Sequence, residues 1–155
     1  MSGPVLRGPA GFGPVVEGEA LVSADAFSPR YDLDRDTGVI SRKGHAIEGE
    51  SLAGRILVTP AAKGGVAAGW ALYDMQARGI APKAFVFRTT NPVFVQGCVL
   101  AGIGIMDRLE PDPVATLRTG DWIRVDPEAG TVTVLRRARA PVTPNGRRAD
   151  GRQSG

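Results

Sequence analysis

One segment, residues 54–78, combines a strand, a glycine-rich turn and a helix in immediate succession, and this order limits the folds open to the chain. The apolar run Ile56-Leu57-Val58 is typical of a strand, and we expect Pro60 to end it. A helix is predicted over residues 66–78, with Gly79 as the residue that closes it. The segment therefore predicts a domain of mixed α and β structure.

The turn within this segment, Lys63-Gly64-Gly65, has the composition of an anion-binding site. Glycines at the start of a helix leave backbone N–H groups uncovered, and the helix dipole adds about half a positive charge there. Lys63 contributes a full positive charge. The alternative is an ordinary tight connection between strand and helix that carries an exposed lysine.

Elsewhere, strands and helices alternate without a simple β-α-β repeat. Strands are predicted at 15–22, 31–41 with a turn at 36–38, 54–59, 84–88, 103–106, 122–126 and 131–135, the last two as a hairpin. Asn91 and Pro92 predict the cap and first residue of a second helix, which continues over 93–101.

Two further predictions concern the core. Val66, Trp70, Tyr73 and Ala77 recur at helical spacing and predict the face of the first helix that packs inward. Cys98 in the second helix is expected to be a small buried apolar residue.

Length and composition agree with one domain. The chain has 155 residues, of which 43% are hydrophobic, and no apolar run approaches the roughly 18 residues of a membrane span. The first 13 residues contain Gly and Pro where a signal peptide would be apolar, so we expect a cytoplasmic protein. A lone cysteine and a lone histidine predict no disulfide and no metal site in this chain.

The basic character of the chain belongs to its C-terminal end. Six of its 19 basic residues, but only one of its 16 acidic residues, follow Leu135. This end is rich in Pro, Gly and Arg and lacks aromatic residues, so it is expected to be a disordered tail and not a nucleic-acid-binding module. The predicted organisation is a flexible arm at 1–13, a folded domain at 14–137 and a disordered basic tail at 138–155.

Several short motifs occur in an order that resembles the small swivelling subunit of the aconitase X family. The resemblance covers about residues 14–135. Its motifs are Gly18 to Ser23, the D-x-x-T-G-x-I pattern of Asp34 to Ile40, His45, Gly49, Ser51, Leu52, Gly54, Ile56, Leu57, Pro60, Gly64, Pro82 to Arg88, Asn91-Pro92, Thr119 to Asp121 and Val125-Asp126.

This resemblance implies a three-layer β/β/α swivelling domain of the kind found in the small domain of aconitases. It also implies a hydro-lyase that acts on a small hydroxy acid such as a hydroxyproline. Mevalonate phosphate is the other substrate class of the family. The expected partner is a large subunit that carries the iron–sulfur cluster, joined to this chain in a heterodimer or higher assembly. The substrate, a small carboxylate, would bind in the cleft between the subunits.

The chain departs from the family pattern in the loop that closes this cleft, which typically reads Pro-Ser-Gly-Arg-Gly-Ser-Ser. Lys63 takes the arginine position, while Gly65 and Val66 take the serine positions, so the presumed serine base is absent. Either another residue is the base, or the reaction differs, or the chain is catalytically silent. Lys63 is expected to clamp a carboxylate, with the role of base as its alternative.

The other candidate residues each have a structural alternative. His45 could shuttle a proton or simply bond to backbone, and Ser51 could be catalytic or a turn residue. Ser28 and Arg30 occupy a segment that relatives present to the cleft, although Arg30 could be merely solvated. The predicted catalytic set is Lys63, Ser51 and His45, and the predicted substrate-binding set is Lys63, Gly64, Gly65, Val66, Ser28 and Arg30.

Two other functions stay open at this point. One is a related isomerase subunit. The other is a non-catalytic, ligand-binding swivelling module, similar to the mobile phosphohistidine domains. His45 lacks the Gly-Gly-x-x-x-His context of a phosphocarrier, which counts against that comparison.

Overall fold

A seven-stranded sheet organises the domain in a computed structural model, which describes residues 3–63 and 66–138. The described elements are β1 (Val5–Arg7), β2 (Val16–Val22), β3 (Leu33–Asp34), β4 (Val39–Ile40), β5 (Ile56–Ala61), α1 (Val66–Ala77), β6 (Ala84–Thr89), α2 (Pro92–Ala101), β7 (Gly104–Met106), α3 (Pro113–Thr116), β8 (Trp122–Asp126) and β9 (Thr131–Arg136). The strands follow one another across the sheet in the order β1-β9-β8-β2-β5-β6-β7, and β3 and β4 form a separate two-stranded ladder.

Strand β2 belongs to both halves of this sheet. Its first part, from Val16 to Glu19, pairs antiparallel with β8, and its last part, from Ala20 to Val22, pairs parallel with β5. β5, β6 and β7 continue the parallel half, and β8, β9 and β1 complete the antiparallel half. Because parallel strands end at the same edge, the loops after β2, β5, β6 and β7 meet there.

The parallel half is covered on both faces, which explains why its strands are almost wholly apolar. In β5, Leu57 packs with Leu72 of α1 in one core cluster. Its neighbour Ile56 packs with Ile123 of β8 in a second cluster. The domain thus has three layers, the two long helices, the parallel half and the antiparallel half. This confirms the predicted mixed, three-layer β/β/α fold.

The short-range signals at both long helices are confirmed. Gly79 follows α1 with a φ of 76°, a left-handed conformation that glycine adopts without steric cost. Asn91 accepts a hydrogen bond from the N–H of Phe94 at 2.8 Å, and Pro92 is the first residue of α2. None of the described helices has both the length and the apolar character needed to cross a bilayer.

Two strand predictions differ from the structure. Strand β5 continues through Pro60 to Ala61, so Pro60 does not end it. β2 stops at Val22, which pairs with Val58, so no β2 residue lies opposite Pro60 and its missing N–H leaves no ladder bond unmade on that side. The strand predicted over 31–41 is reduced to the two-residue strands β3 and β4.

The predicted inward face of α1 is wrong. Trp70 and Tyr73 are 69% and 54% exposed, and Ala77 is exposed as well. A second apolar stripe at helical spacing is buried instead, namely Ala68, Ala71, Leu72 and Met75. Small residues occupy the inner side because α1 packs closely on α2, where a Cβ added to Gly97 would lie 2.7 Å from the Cα of Gly69.

The N-terminal segment contributes to the sheet, in contrast to the flexible arm expected at 1–13. Strand β1 pairs antiparallel with β9, and Leu6 within it is fully buried. Phe12 forms a bridge with Ile105. At the other end, Ala138 donates its N–H to Asp121 at 2.7 Å, and the rest of the tail predicted at 138–155 lies outside the described residues.

Cys98 is fully buried in α2, as predicted. Burial raises the pKa of its thiol well above the usual range, since the charged thiolate would be poorly solvated there. Cys98 is therefore a packing residue and not a nucleophile.

Candidate functional site

Lys63 lies at the carboxyl edge of the parallel half, directly after β5. Its N–H donates to the carbonyl oxygen of Phe27 at 2.8 Å, and the N–H of Phe27 donates to that of Ala61 at 2.9 Å. From the other side, the Asn91 amide Nδ2 donates to the Ala62 carbonyl at 3.5 Å. The loop after β2 and the start of α2 thus hold the backbone of residues 61–63 from two directions.

The loop after β2 is itself fixed by hydrogen bonds. The hydroxyl of Thr59, which is fully buried, donates to the Asp25 carbonyl oxygen at 2.6 Å. The hydroxyl of Ser23 accepts from the Asp25 N–H at 3.0 Å. The Asp25 carboxylate in turn accepts the N–H of Ala46 at 2.8 Å, which ties this loop to the connection between β4 and β5.

A polar cavity of about 350 Å³ opens beside Lys63, between these two segments. Its lining carries three cationic side chains and one carboxylate, and it consists of Asp25, Ala26, Arg42, Lys43, Gly44, His45 and Lys63. Two of the residues predicted from sequence, Lys63 and His45, therefore share one cavity.

The cations of the polar cavity are incompletely neutralised. Arg42 is paired, with its Nη1 3.1 Å from Oδ1 of Asp32. Lys43 and Lys63 form no ion pair within residues 3–63 and 66–138. A concave site with unpaired positive charge attracts anions, so the cavity is suited to a carboxylate or a phosphate.

His45 is held in the wall of the polar cavity by both of its ring nitrogens. Its side chain is only 4% exposed. Nε2 lies 3.1 Å from the Ala26 carbonyl oxygen, and Nδ1 accepts the Ile47 N–H at 3.3 Å, which assigns the proton of the neutral ring to Nε2. This geometry supports the structural alternative, because neither nitrogen is free to shuttle a proton.

Asp32 stands behind the polar cavity and was not singled out from the sequence. Its side chain is 1% exposed, and Oδ2 accepts the Ser28 N–H at 2.8 Å. The same oxygen lies 3.6 Å from His45 Nε2, while Oδ1 contacts Arg42. The contiguous run Arg42-Lys43-Gly44-His45 was a visible basic signal, but nothing local indicated that it would face Lys63.

Three other predicted residues, Ser51, Ser28 and Arg30, do not line the polar cavity. Ser51 accepts the N–H of Ala53 at 3.2 Å, which matches its alternative as a turn residue. Ser28 is 2% exposed, and its hydroxyl has no hydrogen-bond partner among the described residues. Arg30 is exposed and lies over the ring of Tyr31 at 5.3 Å.

Three members of the predicted substrate-binding set can be described only in part or not at all. Gly64 and Gly65 lie outside the described residues. Val66 opens α1, and its side chain is not part of the description. The predicted anion-binding turn is thus defined by Lys63 on one side and by the start of α1 on the other.

A larger cavity of about 790 Å³ lies at the ends of β6 and β7. Its charged lining residues are Asp107 and Arg108, and these pair with each other at 3.2 Å. Because this cavity has no excess charge, we identify the smaller, polar cavity beside Lys63 as the anion site.

The chain matches the family model of the aconitase X swivel domain over residues 5–134. Two similar relatives are each named phosphomevalonate dehydratase small subunit. The one from Methanocella arvoryzae is 37% identical over 115 residues, covering 74% of this chain and 87% of the relative. The one from Methanococcoides burtonii is 35% identical over 123 residues, covering 79% of this chain and 90% of the relative.

A solved structure is similar as well. The crystal structure of Thermococcus kodakaraensis aconitase X in its holo-form matches with a TM-score of 0.80 and 32% identity. The match covers 86% of this chain and 99% of the matched chain. The likeness therefore extends over nearly the whole described domain.

Proposed function

Because the chain belongs to the aconitase X swivel-domain family, we propose that it is the small subunit of a two-chain dehydratase whose substrate is phosphomevalonate or a close analogue. Its class, a subunit of an aconitase X-type hydro-lyase, follows from the family and from relatives named as dehydratase small subunits. We propose in addition the identity of the substrate and the composition of the partner subunit.

The observation that carries the proposal is the position of Lys63, an unpaired cation in a polar cavity at the carboxyl edge of the parallel strands. Phosphomevalonate is an anion at both ends and suits such a cavity. A hydroxyproline carries an ammonium group beside its carboxylate, which the unpaired lysines would repel. The names of the relatives favour the phosphorylated substrate too.

Dehydration removes a proton from the carbon next to the carboxylate and a hydroxyl group from the following carbon, and a double bond forms between the two carbons. The negative charge of the carboxylate opposes removal of that proton. An ammonium group that binds the carboxylate offsets this charge as more negative charge develops. We assign this role to Lys63.

Two of the three predicted catalytic residues, His45 and Ser51, are engaged elsewhere in the described structure, and Lys63 is assigned to the carboxylate. His45 uses both ring nitrogens, and the Ser51 hydroxyl accepts the N–H of Ala53. The loop residues 60–69 contain no hydroxyl side chain. We therefore place proton removal on the partner subunit and substrate binding on this chain.

We also place the iron–sulfur cluster on the partner subunit. A cluster needs several thiolate ligands, and this chain has one cysteine, which is buried. Among the described residues, no three side chains of His, Cys, Asp or Glu come together in a way that could hold a metal ion. When bound in the partner, a cluster iron would polarise the leaving hydroxyl.

The missing loop hydroxyl favours a second candidate, a binding module without catalysis. The two candidates differ in what the assembled complex does. If this chain contributes to the substrate cleft, its complex with the large subunit should turn over substrate. If it is a binding module without catalysis, the complex should show no turnover.

The test is co-expression with the large subunit, followed by assay of phosphomevalonate dehydration with wild-type chain and with Lys63→Ala. We expect Lys63→Ala to raise KM by roughly one to two decades, as a lost charge-assisted contact does, and to lower kcat by a smaller factor, because the carboxylate charge is no longer offset as the proton leaves. Lys63→Arg, which keeps the charge, is the matched control and should retain most of the affinity.

Other outcomes discriminate among the alternatives. A collapse of kcat at saturating substrate in Lys63→Ala would make Lys63 the base. Unchanged kcat and KM in Lys63→Ala would show that Lys63 does not contact the substrate. A wild-type complex that carries its cluster yet leaves phosphomevalonate intact would contradict the proposed function.

A further inference from the structure

We propose that Arg42 and Lys43 form a subsite for the phosphate group of the substrate, in the same polar cavity as Lys63. This inference rests on the proposed function. It adds the residues that would distinguish a phosphorylated hydroxy acid from one without phosphate, and it leaves Lys63 to the carboxylate.

The substrate requires two anchors because its carboxylate and its phosphate lie at opposite ends of the carbon chain. One lysine cannot contact both groups. The polar cavity, of about 350 Å³, is at the small end of the roughly 300–1,000 Å³ typical of ligand pockets. It presents cations from two separate segments, Lys63 after β5 and Arg42-Lys43 on the connection from β4 to β5.

Arg42 is held in a way that leaves it able to bind a ligand. Only its Nη1 contacts Asp32, and the side chain is 53% exposed. A guanidinium has five N–H donors in a planar fork, so the remaining donors can reach phosphate oxygens. Asp32 itself is 1% exposed and accepts the Ser28 N–H, which gives Arg42 a rigid anchor.

Lys43 is exposed and makes no hydrogen bond or ion pair among the described residues. Among the described residues, Asp25 is the one carboxylate that lines the polar cavity, and Asp32 lies behind Arg42. The two positive charges of Lys43 and Lys63 therefore exceed the single negative charge of Asp25. This excess of positive charge attracts an anion, and an arginine with a neighbouring lysine is suited to the several acceptor oxygens of a phosphate group.

The kinetic test uses the reconstituted complex with Lys43→Gln, which removes a charge without removing a contact seen in the described structure. We expect KM for phosphomevalonate to rise about tenfold while kcat stays within about twofold, as loss of one charge-assisted contact away from the reacting carbon predicts. Competitive inhibition by mevalonate, which lacks the phosphate, should be unchanged.

Arg35→Gln is the matched control. Arg35 is exposed on the turn between β3 and β4 and does not line the polar cavity. The same change of charge should leave KM unaffected there. An equal rise of KM in Arg35→Gln would show a general effect of net charge and would overturn the subsite.

A binding test does not depend on turnover. Inorganic phosphate titrated into the full-length chain should shift the amide NMR signals of residues 42–45, and Lys43→Gln should weaken this response about tenfold. Acetate at equal concentration should leave these signals in place.

The two tests distinguish a failure of the phosphate subsite from a failure of the proposed function. A complex that turns over phosphomevalonate with Lys43→Gln as well as with the wild-type chain overturns the subsite and leaves the proposed function standing. A complex without activity, while phosphate still shifts these signals selectively, overturns the function and supports the anion site.

Discussion

At the scale of single residues, the buried carboxylate of Asp32 connects the fold to the polar cavity. It accepts the N–H of Ser28 at 2.8 Å and contacts Arg42 at 3.1 Å. Its backbone carbonyl accepts the N–H of Ser41 at 2.9 Å and that of Arg42 at 3.1 Å. One residue therefore sets the position of the segment that carries Arg42, Lys43 and His45.

Replacing Asp32 by Ala should lower the free energy of unfolding by about 1–3 kcal/mol, because the buried N–H of Ser28 would lose its partner, whereas the half-exposed guanidinium of Arg42 would be solvated. Urea denaturation measures this loss. Asp36→Ala is the matched control, since Asp36 is 78% exposed and pairs with Arg78 at 3.0 Å. A surface pair contributes about 0–1 kcal/mol, so equal losses in both variants would contradict this role of Asp32.

At the scale of elements, the contact between α1 and α2 depends on two glycines. A Cβ on Gly97 would lie 2.7 Å from the Cα of Gly69, closer than Cβ atoms approach other atoms in proteins. A Cβ on Gly69 would lie 3.3 Å from the Cα of Gly97, a tight but tolerable distance. The two positions thus differ in how far the helices must move to accept a methyl group.

Gly97→Ala should destabilise the domain by about 1–3 kcal/mol, the usual cost of forcing an extra methyl group into a packed interface. Gly69→Ala should be close to neutral, because Ala in place of a helical Gly gains about 0.5–1 kcal/mol, which offsets a milder clash. Thermal unfolding of both variants tests this order. A stability of Gly97→Ala equal to or above that of Gly69→Ala would be incompatible with the close approach.

At the scale of the whole molecule, both ends of the described chain are held by contacts within the domain. Strand β1 covers β9, and the fully buried Asp121 binds both Arg137, at 2.7 Å, and the N–H of Ala138. The family match ends at residue 134. Within the described residues, Asp121 thus fixes the C-terminal end of the domain as far as Ala138.

Removal of residues 139–155 should leave the melting temperature within about 2 °C of the full-length value, a change of no more than about 0.5–1 kcal/mol for a domain of this size. The physical reason is the composition of the tail, which lacks the apolar surface that folding requires. Assembly with the large subunit should also persist. Loss of soluble protein or of the complex on truncation would make the tail an interaction element.

The sequence alone determined the features that depend on neighbours along the chain. The ends of α1 and α2 follow from Gly79 and from Asn91 with Pro92, because caps act on backbone groups within one turn. The strand-turn-helix order and the position of Lys63 after a buried strand follow in the same way. The resemblance supplied the three-layer architecture and the class of enzyme.

Only the tertiary structure decided which surfaces meet. Helix α1 carries two apolar stripes, and its packing on α2 selected the one with Ala68 and Leu72 over the one with Trp70. The end of β2 opposite Val58 made Pro60 acceptable within a strand. The side chains of Arg42 and Lys63 line one cavity because Asp32 holds Arg42 and the loop after β2 holds the backbone of Lys63. No pattern along the chain encodes contacts between segments that far apart.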